Sequence, residues 1–93
     1  MSILLKNGTV IDYASNTEEK LDILIEGDKI TKISEVIESA DKVIDCTGLY
    51  IMPGMIDIHC HLREPGGEHK ETIETGSKSA VCGGFTTICP MPN

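Results

Sequence analysis

Residues 55–89 constrain the fold more than any other stretch of this chain. Met55-Ile56-Asp57-Ile58-His59 is strand-like, Glu64-Pro65-Gly66-Gly67 is a loop, and Phe85-Thr86-Thr87-Ile88-Cys89 is strand-like again. Between loop and second strand the periodicity predicts a helix over about Lys70 to Cys82. Its inner stripe is Ile73, Gly76, Ser77, Ala80 and Val81, spaced i, i+3, i+4, i+7, i+8. Glu71 and Glu74 suit the positive end of the helix dipole, and Gly83-Gly84 supplies the stop. Strand, helix, strand is a βαβ unit, which makes a parallel pair. A parallel pair has to be covered on both faces, and the chain lacks the material to do that, so it reads as a piece of a larger α/β architecture.

The first fifty residues read as short strands and turns. Ile3-Leu4-Leu5-Lys6 leads into Asn7-Gly8, a hairpin-turn dipeptide, and Thr9-Val10-Ile11 follows. Leu21, Ile23 and Ile25 alternate with Asp22, Leu24 and Glu26; Gly27-Asp28 turns the chain into Lys29-Ile30-Thr31-Lys32-Ile33. Val43-Ile44-Asp45 and Leu49-Tyr50-Ile51 are further short strands around Thr47-Gly48. Such strands suggest a sheet sandwich, but about five of them form an open sheet and leave the sandwich incomplete.

Composition removes several classes of function. With 15 acidic against 8 basic residues, net −7, the chain lacks the clustered Lys and Arg that phosphate backbones require. Met1-Ser2-Ile3-Leu4-Leu5 is too short an apolar run for a secretory leader or a membrane span. Cys46, Cys60, Cys82 and Cys89 form no C-x-x-C pair, which points to reduced thiols in the cytoplasm, with two disulfides as the runner-up reading.

The chemistry concentrates in Asp57-Ile58-His59-Cys60-His61-Leu62-Arg63, entered through Pro53-Gly54. Strand alternation puts Asp57, His59, His61 and Arg63 on one face and Ile58, Cys60 and Leu62 on the other. Imidazoles two residues apart on a strand have Cα atoms ~6.7 Å apart, within reach of one metal. Zinc is the default, and manganese, iron and cobalt stay open. Two polar surface histidines are the bland alternative; the end of a strand opening a βα unit, where catalytic groups collect, favours the metal. Cys60 falls on the packing face and reads as core. Asp57 either orients a ligand histidine from behind or caps a neighbouring backbone group. Arg63 either grips a carboxylate with its planar fork or pairs with Glu64 or Glu71. Asn93, at the tip of the second parallel strand, is either a second contact for the same anion or a turn residue. His69 reads as exposed near the helix cap, and Glu64 and Glu68 as loop surface. Gly66-Gly67 and Gly83-Gly84 lack the spacing of phosphate loops.

Pro53 to Gly66, Glu68-His69-Lys70-Glu71-Thr72-Ile73-Glu74-Thr75-Gly76, Gly83-Gly84-Phe85-Thr86-Thr87 and Met91-Pro92-Asn93 together resemble the opening motif of the dihydroorotases, within the amidohydrolase superfamily. The resemblance is strong over about the last forty residues and one of type over the first fifty. It implies an α/β chain in two parts. Residues 1–52 would give the N-terminal strands of a composite β-sandwich, and residues 53–93 the first strand, helix and second strand of a metal-dependent (β/α)₈ barrel, incomplete here. It implies zinc, as a pair of ions in each full-length subunit, with His59 and His61 as the first two ligands. It implies substrate contacts from His61, Arg63 and Asn93, and a catalytic Asp and further ligands downstream of residue 93.

The implied reaction is reversible closure of N-carbamoyl-L-aspartate to L-dihydroorotate, in de novo pyrimidine biosynthesis, through a metal-bound hydroxide. Hydantoinases and allantoinases share P-G-x-I-D-x-H-x-H but do not typically keep both the following Arg and M-P-N. The substrate is then a small molecule with a free carboxylate. A homo-oligomer and a carbamoyltransferase partner are both compatible with the full-length protein. Pro90, before Met91, is the one small departure from the family's pattern. Two other readings compete: a non-catalytic partner subunit, which retention of His59, His61 and Arg63 disfavours, and a free-standing zinc module, which the cysteine spacings disfavour. On the first reading the 93 residues alone are inactive.

Overall fold

The computed structural model describes residues 1–92. It divides into two units, Met1–Pro53 and a second that begins at Gly54.

The first unit is one five-stranded sheet: β1 (Ser2–Asp12), β2 (Thr17–Glu26), β3 (Lys29–Ser34), β4 (Lys42–Asp45) and β5 (Tyr50–Ile51). The order is β3-β2-β1-β4, and β5 also pairs with β1. β1–β2 and β2–β3 are antiparallel, whereas β4 and β5 run parallel to β1. Asn7-Gly8 does not turn the chain. β1 continues through it, and its register with β2 shifts between Leu5 and Gly8. Asn7 has φ 67, the left-handed conformation that suits Asn in a tight turn and serves a bulge equally well. The reversal comes instead at residues 13–16, where Asp12 Oδ1 accepts from the Ala14 N–H.

On the other edge of β1 the chain detours around the same irregularity. Cys46 N donates to Lys6 O at 2.7 Å, and Thr9 N to Leu49 O at 3.0 Å. A Cβ on Gly8 would come within 2.7 Å of Ile51 Cγ1 and 3.1 Å of Cys46 Cβ, so the detour needs glycine there.

Leu4, Val10, Ile23, Ile37 and Cys46 form the buried apolar set of this unit. Among them lies a carboxylate: Asp22 is 1% exposed. Its Oδ1 accepts from Asn7 N at 2.8 Å, and its Oδ2 from Ile37 N at 2.9 Å and Lys6 Nζ at 2.8 Å. The same ammonium donates to Ile37 O at 2.8 Å. Asp22 thus fastens the β1 bulge and the segment after β3 to β2. Burial alone would push this carboxyl up. The donors at Asn7, Lys6 and Ile37 outweigh it and hold the pKa at about 2.

The second unit holds β6 (Met55–Cys60), α1 (Ile73–Cys82) and β7 (Phe85–Pro90). β6 and β7 are parallel, and α1 packs on β7, as the βαβ reading expects. The helix begins at Ile73 rather than near Lys70, because Thr72 is an extended N-cap. Thr72 Oγ1 accepts from Thr75 N at 3.2 Å, and Thr75 Oγ1 accepts from Thr72 N at 2.9 Å. Glu71 therefore precedes the helix, and Glu74 alone lies in its first turn. Gly83 N closes the far end on Ser79 O and Ala80 O. Pro90 stays in β7, and Met91 N donates to Cys60 O at 2.7 Å.

Of the expected inner stripe Gly76 is buried and Ala80 half-buried; Ile73, Ser77 and Val81 are exposed. A Cβ on Gly76 would stand 2.6 Å from Leu62 Cδ2 and 2.9 Å from the Glu71 carboxyl carbon. We therefore expect Gly76→Val to destabilise this unit by about 1–3 kcal/mol through overpacking. A urea midpoint checks it; an unchanged midpoint would contradict the close approach at Gly76.

Candidate metal and carboxylate site

β6 delivers the chemical run to its C-terminal end. His59 is in its last turn of pleat and His61 is the first residue beyond it. The two rings meet edge to face, with centroids 5.5 Å apart and planes at 62°. Two imidazoles each placing a nitrogen about 2.1 Å from a shared zinc have centroids ~5 Å apart, so this arrangement is close to that of a ligand pair. His61 Nδ1 is buried and has no hydrogen-bond partner. An unpartnered buried nitrogen costs roughly 1–3 kcal/mol, and a metal ion or a hydrogen-bond donor placed there would remove that cost. By ring geometry and donor chemistry the pair fits two positions of a metal site. Among the described residues no group of three or more His, Cys, Asp and Glu side chains is placed to hold an ion.

Strict alternation fails within β6. The β6–β7 register shifts between Asp57 and Cys60, so Asp57, Cys60 and His61 line one cavity of about 330 Å³ against α1, with Leu62 and Glu71. Cys60 therefore shares a cavity with Asp57 rather than lying opposite it. Burial, reinforced by the Asp57 carboxylate, pushes the Cys60 thiol up. Ile58, placed by alternation on the packing face, is 76% exposed, while Leu62 is buried. Asp57 Oδ1 accepts from His59 N at 3.0 Å; this is the backbone-capping role. All four cysteines are free thiols.

Past His61 the chain makes a compact loop. Arg63 has φ 64, which for a residue with a Cβ costs roughly 1–2 kcal/mol. Gly67 N closes back on Arg63 O at 2.7 Å. The Arg63 side chain is exposed, and among the described residues it enters no ion pair. Neither Glu64 nor Glu71 pairs with it. Glu64 Oε1 instead accepts from Ile73 N, the first amide of α1, at 2.9 Å, and Glu68 Oε1 accepts from Gly66 N at 2.8 Å. Reading Glu64 as loop surface missed this bond, because nine residues separate the partners and no periodicity links them. His69 is exposed, and Asn93 lies outside the described residues. None of the helices described is long and apolar enough to cross a membrane.

Residues 48–93 match the family model described as Dihydro-orotase-like. The chain is 53% identical over 95 residues to the dihydroorotase of Lactococcus lactis subsp. lactis (strain IL1403), covering all of this chain and 22% of that protein. It is 53% identical over 92 residues to the dihydroorotase of Staphylococcus aureus (strain N315), covering 97% of this chain and 21% of the relative. The chain thus spans about a fifth of the length of these curated relatives. Among solved structures it resembles the dihydropyrimidinase of Brevibacillus agri NCHU1002, at TM-score 0.82 and 38% identity over 95% of this chain and 19% of the other. It also resembles the L-hydantoinase (dihydropyrimidinase) of Arthrobacter aurescens, at TM-score 0.83 and 32% identity over 97% of this chain and 20% of the other. The mostly-β α/β arrangement of the described residues is that of the corresponding part of these amidohydrolases.

Proposed function

We propose that this chain, which belongs to the dihydroorotase-like family and matches the N-terminal part of its members, opens a zinc-dependent cyclic amidohydrolase that interconverts N-carbamoyl-L-aspartate and L-dihydroorotate. The observation that carries the reading is the juxtaposition at the end of β6: two imidazoles 5.5 Å apart, followed at once by an exposed guanidinium with no ion-pair partner among the described residues. On this reading residues 1–52 contribute to a composite sandwich and residues 53–93 begin a (β/α)₈ barrel in a longer, cytoplasmic protein. The 93 residues alone are then inactive, since they hold neither a complete ligand set nor the catalytic Asp.

His59 and His61 would hold the ion, through their ring nitrogens. Bound there, zinc supplies Lewis acidity and lowers the pKa of water. The residues of this chain have separate tasks. Asp57 fixes the His59 backbone through its N–H and so limits where that ring can point. Arg63 binds the substrate carboxylate with its two-pronged fork, and Asn93 is the second contact for that anion. His61 lies between the two functions and contacts the substrate on one side. The carboxylate contact is the feature that separates this reading from a hydantoinase-like or dihydropyrimidinase-like one.

The test is a substrate comparison on the longer protein. L-Dihydroorotate should be turned over and dihydrouracil should not. Arg63→Ala should lower kcat/KM for L-dihydroorotate on the order of a hundredfold, the loss of a charge-assisted bidentate pair. Equal turnover of the carboxylate-free ring, with no effect of Arg63→Ala, would contradict the assignment.

A further inference from the structure

Arg63 is exposed at its tip but constrained at its backbone. It occupies a left-handed conformation that residues with a Cβ avoid, and such conformations persist only where the surroundings over-determine them. Three attachments do so here. Before it, Leu62 is buried beneath Gly76 of α1. Behind it, the Gly67 N–H returns to the Arg63 carbonyl at 2.7 Å. Immediately after it, the Glu64 carboxylate accepts from the first amide of α1, Ile73 N, at 2.9 Å. This last bond is suited to its place. The first amides of a helix have no partner within the helix, and the helix dipole favours a negative charge there. Thr72 serves the Thr75 amide, and Glu64 serves the Ile73 amide.

We propose that Glu64 is a positioning residue for substrate binding: by tying the loop to the start of α1 it holds Arg63 in the strained conformation from which its guanidinium meets the substrate carboxylate. The inference rests on the reading of Arg63 given under Proposed function. Glu64 itself touches no substrate. Its effect passes through the backbone of the adjacent residue, and small misplacements of a binding group are costly.

The experiment is a mutant cycle on the longer, zinc-loaded protein with L-dihydroorotate. Glu64→Ala should raise KM about tenfold, with kcat within about twofold and zinc content unchanged. Glu64→Gln keeps an acceptor for the Ile73 amide and should stay near wild type in KM. Glu64→Asp shortens the reach and should resemble Glu64→Ala, which also covers poor folding of the alanine variant. In an Arg63→Ala background Glu64→Ala should add nothing further to KM. Independent, multiplicative effects of the two substitutions would overturn the inference, as would a Glu64→Gln variant as impaired as Glu64→Ala, or a loss of zinc with Glu64→Ala. If Arg63→Ala itself leaves KM unchanged, the carboxylate reading of Arg63 fails instead, and the two failures are told apart.

Discussion

Asp22→Ala should destabilise the first unit by about 3–5 kcal/mol, the usual cost of removing one partner from a buried ion pair. The carboxylate is almost fully enclosed and receives three donors. Its removal leaves the Asn7 and Ile37 amides without their partner and the Lys6 ammonium without its counter-charge. The damage should be local first: hydrogen exchange at Asn7 and Ile37 should accelerate before exchange in the centre of β2. Asp22→Asn retains an acceptor but loses the charge, and should cost less.

The same group sets an acid sensitivity of known sign. Its pKa in the folded chain is about 2, below the ordinary carboxylate value of 3.8. The native state therefore binds this proton more weakly than the unfolded state does. The contribution, about 2 kcal/mol, is fully present above roughly pH 4 and is lost as pH falls toward 2. Unfolding free energies measured at pH 5 and pH 2.5 should differ more in the wild type than in Asp22→Ala. Equal differences would show that Asp22 does not hold its proton loosely in the folded chain.

The second large effect is at the ring pair. His59→Ala or His61→Ala in the longer protein should lower kcat by at least what the loss of one oxyanion-stabilising donor costs, on the order of 10²–10³-fold. The double substitution should be little worse than the more damaging single one, because two rings holding one ion would act as a unit and such losses are not additive. His61→Ala also removes a buried nitrogen that has no partner. Without metal, therefore, its stability penalty should be small, while its penalty in activity stays large. A His61→Ala enzyme with near-normal kcat would exclude the ring pair from the reaction.

How much of this was legible in the residues follows from which interactions are local. The βαβ order and the Gly83 stop depend on periodicity and turn chemistry within a few residues, and both are read from sequence. So is the nearness of His59 and His61, which needs only a strand. The sequence reading starts α1 about three residues early because Glu71, like Glu74, suits the positive end of a helix, and Thr72 with Thr75 is a weaker signal than a Thr–Glu box. Asn7-Gly8 carries the conformational preference of a turn, but three long-range partners, Asp22, Cys46 and Ile51, make it a bulge instead. Asp22 looked like one polar residue in an alternating strand. Its burial depends on Lys6 and Ile37, 16 and 15 residues away, which no local pattern joins to it. At the site, the register shift after Asp57 and the Glu64–Ile73 bond are likewise tertiary, and they decide which cavity Cys60 lines and how Arg63 is held.

The most direct test of the account is the metal content of the longer protein after exhaustive dialysis, wild type against the His59→Ala/His61→Ala double variant. The ring pair at the end of β6 should hold zinc, so the wild type retains a stoichiometric ion and the double variant loses it while keeping its circular dichroism spectrum. A folded double variant that retains the full wild-type complement of zinc would contradict the account.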